Sequence, residues 1–356
     1  MFHRTDATSS PVALVRAGRL AEATAEIQRS LGAGALPGQA LPGASGLPGA
    51  RGLPGRGLSG MRVPGMPTPR VGRAAASDAP GTVSGGSFSG PAGSVAYRLY
   101  VPTRPQSPAP LLVMLHGGTQ DGETFAAATG MDDLAEREGF LVVYPEQSRS
   151  ANAMGYWNWF RPGDQRRDAG EPSLIAGVIT TVTAAHDVDA SAVAVAGFSA
   201  GAAMAAVMAG TYPDLLVGAG VHSGLAFGAA HDVGSAFAAM RRGAARVPSP
   251  GRVPLIVVHG DRDPTVDPRC ADAVVASGPA SPVATEETTG SSEGGRAWTC
   301  RRRRAPDGRL LVESWTVHGA GHDWAGGRAG ASYADPSGPD ASAAMVDFFG
   351  FRRRGA

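Results

Sequence analysis

Residues 192–209 read AVAVAGFSAGAAMAAVMA, and this stretch decides the fold. Its first five residues form a short apolar run of the kind found in buried parallel strands, and its alanine-rich end favours a helix. Between them lies a G-x-S-x-G pentapeptide, Gly197 to Gly201. Small residues at a sharp strand-to-helix turn leave a serine hydroxyl exposed at the end of a sheet, so the pattern predicts Ser199 as a nucleophile. The alternative is a serine that only caps the helix.

Similar apolar runs lie on both sides of this stretch and alternate with helix-like segments. Because strands that alternate with helices form parallel sheets, the order predicts an α/β fold, with a mostly parallel sheet and helices on both faces. In such a sheet the chemistry lies at the carboxyl ends of the strands. The strand runs are residues 111–115, 140–144, 192–196, 255–259 and 310–317, and the helical segments are 131–138, 173–186, 200–209 and 340–349.

A nucleophilic serine needs an acid and a histidine after it in the chain. The run at 255–259 leads into HGDRD, where Asp263 is preferred to Asp261 because Asp261 directly follows the tight turn and can cap it. The run at 310–317 leads into HGAGHDW, where glycines would let His322 reach across the sheet edge, whereas His318 is close to the strand end. The sequence therefore predicts Ser199, Asp263 and His322 as a catalytic triad.

The same pair of histidines has a competing interpretation as metal ligands. Gly319 and Gly321 disfavour the helix that the spacing of the two histidines would require, and no third ligand or H-E-x-x-H pattern is present, so no metal site is predicted.

An oxyanion hole needs two preorganised N–H donors. We assign them to Ala200, which follows the serine, and to Gly118 in the His-Gly-Gly turn after residues 111–115; a simple turn is the alternative.

Gly and Pro, 51 and 28 residues of 356, are concentrated near the N-terminus. Residues 1–31 include one short amphipathic pattern and predict a leader helix. Residues 32–85 repeat Leu-Pro-Gly and predict a flexible Pro/Gly-rich linker, because their collagen-like register is too short for a stable triple helix. The catalytic domain is assigned to residues 86–356.

Composition removes several classes of partner. The net charge of +1 gives no argument for binding nucleic acid or an anionic membrane, and no apolar stretch approaches the roughly 20 residues that span a bilayer. No secretory signal peptide is visible at the N-terminus.

The two cysteines, Cys270 and Cys300, form either one disulfide or two idle thiols, and the residues leave both options open.

Seven segments, in order between about residues 95 and 349, closely resemble the esterases of the poly(3-hydroxybutyrate) depolymerase type, which include feruloyl and acetyl xylan esterases. The N-terminal AGRLAEATAEIQRSL resembles the leader helix of non-secreted members. The seven segments are LLVMLHGGTQDGETFAAATGMDDLAEREGFLVVYPEQ, YWNWFRPGDQRRDAGEP, VAVAGFSAGAAMAAVMAGTYPDL, VHSG, VVHGDRDPTV, WTVHGAGHDWAGG and YADPSGPDASAAMVDFF.

The resemblance implies an α/β-hydrolase fold and a serine esterase that acts on an ester substrate without a cofactor, with Ser199, Asp263 and His322 as its triad. Where the family usually reads H-G-C-T-Q and C-W-N-W-F, this chain has Gly118 and Tyr156. Both cysteines are absent together, as expected if they normally form a bridge. The family also suggests an extracellular protein, whereas the N-terminus suggests a cytoplasmic one.

The YWNWF segment supplies a further hypothesis. Two exposed tryptophans around an amide, Trp157, Asn158 and Trp159, would line an acyl or polymer groove; the alternative is that they belong to the core.

Three rival functions remain beside hydrolysis of poly- or oligo(3-hydroxybutyrate) or similar short-acyl esters. A feruloyl or acetyl xylan-type esterase needs the same triad. A prolyl oligopeptidase-type peptidase is disfavoured because no propeller pattern precedes the catalytic segments. A non-catalytic binding module with a collagen-like linker is disfavoured because a silent site has no need of all three groups. The sequence does not fix the oligomeric state.

Overall fold

A computed structural model describes residues 79–243, 251–280 and 284–353. The predicted leader helix, residues 1–31, lies outside these ranges, as does most of the linker predicted for residues 32–85. None of the helices in the described ranges is both long and apolar enough to cross a membrane.

A ten-stranded sheet forms the centre of the described part of the chain, in the order β1-β2-β4-β3-β5-β6-β7-β10-β9-β8. The strands are β1 (Thr82–Gly90), β2 (Gly93–Val101), β3 (Ala109–Leu115), β4 (Leu141–Glu146), β5 (Val188–Phe198), β6 (Gly218–His222), β7 (Leu255–Gly260), β8 (Ala284–Ser291), β9 (Ala297–Arg304) and β10 (Leu310–Val317), with a short parallel pair, β11 (Trp324–Ala325) and β12 (Ala334–Asp335). From β4 to β10 neighbouring strands are parallel, and antiparallel strands extend both edges.

Seven α-helices cover the two faces of this sheet in the described residues. They are α1 (Gly122–Thr129), α2 (Met131–Glu138), α3 (Gly170–Ala185), α4 (Ala200–Thr211), α5 (Val233–Arg242), α6 (Arg269–Ala276) and α7 (Ala341–Phe349). Residues of α3 to α6 pack in one apolar core, and residues of α1, α2 and α7 pack in another. The predicted mostly parallel sheet with helices on both faces is confirmed.

Strand β3 shows why the central runs contain no polar residues. All seven of its residues are buried, and successive side chains enter opposite cores: Leu111 and Val113 pack with α3 and α4, whereas Leu112 and Met114 pack on the other side. Because side chains alternate across a strand, a strand covered on both faces must be apolar at every position.

The first strand begins earlier than the domain boundary predicted at residue 86. β1 starts at Thr82 and pairs along its whole length with β2. Its glycines resemble linker residues in the sequence, but a Cβ built on Gly86 would overlap the ring of Tyr97 in β2. Here glycine makes room for a cross-strand aromatic ring.

The parallel arrangement brings four loops to one edge of the sheet. The loops after β3, β5, β7 and β10 all leave the carboxyl ends of parallel strands, and these strands are neighbours except that β6 lies between β5 and β7. Ser199, Asp263, His322 and the His-Gly-Gly turn belong to these loops. The fold therefore places every predicted catalytic segment at the same edge.

Candidate active site

Ser199 occupies a strained turn between β5 and α4. Its backbone has φ 54° and ψ −115°, a conformation that residues other than glycine rarely adopt. The turn is tight because a Cβ on Gly201 would overlap the backbone carbonyls of Leu115 and His116, and one on Gly197 would come within 2.5 Å of the Gly201 backbone. These contacts explain the glycines of the G-x-S-x-G pattern, and the positive φ shows that Ser199 is not an ordinary helix cap.

The three predicted triad residues lie in one chain of hydrogen bonds. The Oγ of Ser199 is 2.9 Å from Nε2 of His322, and Nδ1 of His322 is 2.7 Å from Oδ2 of Asp263. The side chain of Asp263 is fully buried and that of His322 is 10% exposed. A serine, an imidazole and a carboxylate in this order can transfer a proton from the hydroxyl to the imidazole and stabilise the resulting cation.

Asp263 is held from both sides. Its Oδ1 accepts hydrogen bonds from the backbone N–H groups of Thr265 at 2.8 Å and Val266 at 2.9 Å. Burial alone would raise the pKa of this carboxyl, but hydrogen bonds from His259 and His322 and from the Val266 N–H hold the pKa well below its usual range. Asp263 is therefore ionised at neutral pH.

Two buried histidines that the sequence analysis did not assign support the triad. Nε2 of His259 lies 2.9 Å from the carbonyl of Val266 and 3.4 Å from Oδ2 of Asp263. His222 is the last residue of β6 and accepts a hydrogen bond from the backbone N–H of Ala325 at 2.9 Å. Burial lowers the pKa of His222 well below its usual value, so this ring is neutral and can accept. Both histidines fix loops that carry catalytic groups.

The His-Gly-Gly turn after β3 leaves one N–H group available. Gly117 donates to Oε1 of Gln120 at 3.0 Å, whereas the N–H groups of Gly118 and Ala200 have no hydrogen-bond acceptor among the described residues. His116 anchors the turn, because its Nε2 accepts from the backbone of Gln147 at 3.1 Å. An oxyanion hole requires two free N–H groups, and here one follows the serine while the other is in the loop after β3, the strand beside β5.

The predicted exposure of the two tryptophans is wrong, because both residues are buried. Trp157, Asn158 and Trp159 are only 1%, 1% and 6% exposed. The Nε1 of Trp157 donates to the carbonyl of His116 at 3.1 Å, so the indole holds the first residue of the His-Gly-Gly turn in place. Burying an indole is favourable when its N–H finds an acceptor, and the turn supplies one.

Asn158 belongs to a buried polar cluster centred on Glu171. Its backbone N–H donates to Oε2 of Glu171 at 2.7 Å, and its side-chain amide donates to Oε1 at 2.5 Å. Burial and the nearby carboxylate of Asp164 raise the pKa of Glu171 to about 7. Asn158 therefore partners a buried carboxyl, and the cavity of about 400 Å³ that it lines with Trp157 includes no triad residue in its lining.

Of the two options for the cysteines, the structure shows idle thiols and not a disulfide, because Cys270 and Cys300 are both free and buried. Cys270 lies in α6 with its thiol 3.3 Å from the carbonyl of Ala239, and Cys300 lies in β9. Burial raises the pKa of both thiols to about 12, so neither is reactive at neutral pH.

The alternative residues in the two catalytic loops pair with each other. Nδ1 of His318 is 2.9 Å from Oδ2 of Asp261, and its Nε2 is 2.9 Å from Oγ1 of Thr299. Asp261 also accepts from the backbone N–H of Gly319. Both nitrogens of His318 are thus engaged away from Ser199, and the preference for Asp263 and His322 agrees with the geometry.

Comparison with known proteins shows which family the chain belongs to. The chain is 34% identical over 237 residues to poly(3-hydroxyalkanoate) depolymerase C of Paucimonas lemoignei, covering 63% of this chain and 57% of that protein. It is 31% identical over 140 residues to a probable acetylxylan esterase A of Neosartorya fischeri, covering 39% and 37%. It thus spans roughly 40 to 60% of the length of these relatives.

A solved structure of acetyl xylan esterase from Aspergillus awamori matches with a TM-score of 0.57 and 22% identity, covering 75% of this chain and 99% of that one. This likeness concerns the fold, and together with the sheet order it identifies the α/β-hydrolase fold. Residues 95–278 match the family described as esterase PHB depolymerase. The chain therefore belongs to the esterase PHB depolymerase family.

Proposed function

We propose that this protein is a serine esterase that hydrolyses carboxylic esters, with poly- or oligo(3-hydroxybutyrate) or similar short-acyl esters as its substrates. The observation that carries the proposal is the hydrogen-bond chain from Ser199 through His322 to Asp263. We assign the catalytic unit to the described residues from Thr82 onward. For the residues before it we propose a leader helix followed by a Pro/Gly-rich linker.

In the first half of the reaction, His322 takes the proton of the Ser199 hydroxyl as its oxygen attacks the ester carbonyl. The N–H groups of Gly118 and Ala200 stabilise the negative oxygen of the tetrahedral intermediate, because both are free and both lie just after neighbouring strands, β3 and β5. Asp263 stabilises the imidazolium. The imidazolium then gives its proton to the leaving alcohol, which departs and leaves an acyl group on Ser199.

In the second half, water takes the place of the alcohol. His322 removes a proton from the water, which attacks the acyl carbonyl, and the oxyanion occupies the same two N–H groups. Collapse of this intermediate breaks the bond to Ser199, and His322 returns the proton to the serine oxygen. The free acid leaves and the site is restored without a cofactor.

The relatives favour two substrate classes. One relative is named a poly(3-hydroxyalkanoate) depolymerase, which supports hydroxyalkanoate esters, and others are named acetylxylan and feruloyl esterases, which supports acetylated or feruloylated sugars as the second candidate. A non-catalytic binding module is disfavoured because the serine is held in a costly conformation within hydrogen-bonding distance of a base.

The test is covalent labelling by a fluorophosphonate together with hydrolysis of p-nitrophenyl butyrate. Ser199→Ala should abolish labelling and lower kcat by about 10⁴-fold or more, because no other group can take over the attack. Ser150→Ala, a change at an exposed serine, is the matched control and should behave as wild type. Labelling of Ser199→Ala at the wild-type rate would refute the assignment.

A hydrolysis panel separates the substrate classes. It compares 3-hydroxybutyrate oligomers, p-nitrophenyl esters from acetate to octanoate, methyl ferulate and acetylated xylan oligosaccharides. A kcat/KM highest for the hydroxybutyrate oligomers supports the first class, and a preference for methyl ferulate or acetylated xylan would replace it by the second.

A further inference from the structure

Two tyrosines near the triad leave their hydroxyl groups without a hydrogen-bond partner. The chain has six tyrosines, and three of them use the hydroxyl in the fold: Tyr100, Tyr144 and Tyr212. Within the described ranges, no such bond is formed by the hydroxyls of Tyr156 and Tyr333, nor by that of Tyr97 in β2. Tyr97 covers Gly86 in the edge hairpin, so only the other two concern the site.

Tyr156 lies against the oxyanion turn. A Cβ built on Gly118 would overlap the Cε1, Cδ1 and Cζ atoms of the Tyr156 ring. The ring therefore fills the space beside Gly118, at the two positions where the resembling sequences carry cysteines. The neighbouring Trp157 donates a hydrogen bond to the carbonyl of His116. This bond ties the segment that carries Tyr156 to the His-Gly-Gly turn.

Tyr333 approaches from the side of the histidine. Its ring centroid is 6.0 Å from that of Phe198, and the Phe198 ring is 4.9 Å from the imidazole of His322. The backbone of Tyr333 has φ 56° and its carbonyl accepts from the N–H of Trp324 at 2.8 Å. The side chain nevertheless remains 42% exposed, which makes Tyr333 one of four large exposed hydrophobic residues in the described part of the chain.

Phe198 connects the two rings: it packs against Tyr333, and its Cδ1 would lie 2.7 Å from a Cβ built on Gly117, the residue before the glycine that Tyr156 covers. Burial raises the pKa of the Tyr156 phenol, and the neighbouring phenol of Tyr333 raises it further. A strained, exposed aromatic residue beside a nucleophile is costly to the fold, and such cost is typical of binding sites. One phenol thus borders the oxyanion turn, and the other borders Phe198, the ring that packs on His322.

We infer that Tyr156 and Tyr333 form a clamp that binds the ester unit next to the scissile bond, with their rings against its apolar carbons and their hydroxyls donating to its oxygen atoms. The inference rests on the proposed esterase function and adds the residues that select the substrate. An oligomer of short hydroxyacids presents an ester oxygen every few atoms, so it can use both the rings and the hydroxyls. A simple alkanoyl ester has no second carbonyl and can use only the rings.

Tyrosine-to-phenylalanine changes test the hydroxyl groups without removing the rings. We expect Tyr156→Phe and Tyr333→Phe each to lower kcat/KM for a linear 3-hydroxybutyrate trimer by about 3- to 10-fold, the effect of one lost hydrogen bond. For p-nitrophenyl butyrate the change should stay below about 2-fold. Tyr97→Phe, which also removes an unbonded hydroxyl but in the edge hairpin, where the ring covers Gly86, should leave both values unchanged.

The outcomes separate this inference from the proposed function. Suppose that the wild type hydrolyses both esters. If the Phe variants then lower kcat/KM equally for the two esters, or leave both values unchanged, the clamp is refuted and the esterase function still stands. If the wild type hydrolyses neither ester and resists fluorophosphonate labelling, the proposed function fails and the clamp fails with it. The labelling rate of each Phe variant should equal that of the wild type, because the small probe reports an intact triad.

Discussion

Replacing Asp263 by asparagine should abolish most activity while the loop keeps its shape. The backbone N–H groups of Thr265 and Val266 both donate to Oδ1, so the amide oxygen of Asp263→Asn must take this position. The amide NH₂ then replaces Oδ2, which faces Nδ1 of His322 at 2.7 Å. Two N–H groups cannot face each other, so the imidazole changes tautomer and carries its proton on Nε2.

In that tautomer His322 cannot accept the proton of Ser199, whose Oγ lies 2.9 Å from Nε2. The same substitution in a serine-histidine-aspartate triad lowers kcat by about 10⁴-fold, or about 5.5 kcal/mol of transition-state stabilisation. The measurement is kcat/KM for p-nitrophenyl butyrate, normalised by active-site titration, with thermal unfolding as a check on the fold.

Asp261→Asn is the matched control for this prediction. Its carboxylate is in the same loop and pairs with His318, which does not contact Ser199, so we expect a change below about 3-fold. If Asp263→Asn kept more than a tenth of wild-type activity, or if Asp261→Asn matched its loss, the orientation argument would be wrong.

Three further predictions concern the supports of the site and the thiols. Trp157→Phe removes the donor to the buried carbonyl of His116 and should lower the free energy of unfolding by about 1 to 2 kcal/mol in urea; an unchanged midpoint would contradict this. Burial raises the pKa of Glu171 from 4.5 to about 7, so its contribution to stability is complete below about pH 4.5 and falls by about 3 kcal/mol as the pH rises to about 7. Glu171→Gln should therefore gain stability relative to wild type over this interval, and parallel pH curves would exclude the shift. Because Cys270 and Cys300 are free, a reducing agent should leave the Tm unchanged, and a fall of several degrees would reveal a disulfide.

The central strands and the triad could be predicted because their physical requirements are local. A parallel strand covered on both faces needs a continuous apolar run, and the runs that lie within β3, β5 and β7 meet this requirement. The turns after β5 and β10 contain glycines, which mark where Ser199 and His322 lie. Chain order then supplies the acid between them.

The edge hairpin β8–β9 could not be predicted in the same way. β8 reads ATEETTGS and almost all of its residues are exposed, whereas β9 ends in four arginines. Neither strand shows the apolar run of a buried strand or a clean alternation. Their pairing depends on β10 offering an edge, which is a property of the assembled sheet.

The role of Trp157 and that of His259 depend on long-range contacts. Trp157 lies in an irregular segment, where no periodicity indicates the direction of a side chain, and its acceptor is 41 residues away. His259 continues an apolar strand and gives no sign in the sequence that its ring lies 3.4 Å from the carboxylate of Asp263. Only the folded arrangement of loops shows these neighbours.

The backbone of Ser199 sets a trade-off for any effort to make this protein more heat-resistant. A positive φ at a residue with a side chain costs of order 1 kcal/mol, and glycine adopts the same conformation freely. Ser199→Gly therefore relieves the turn while it removes the nucleophile. A directed-evolution screen that rewards thermal survival alone will favour this inert variant, so selection must score turnover and survival together.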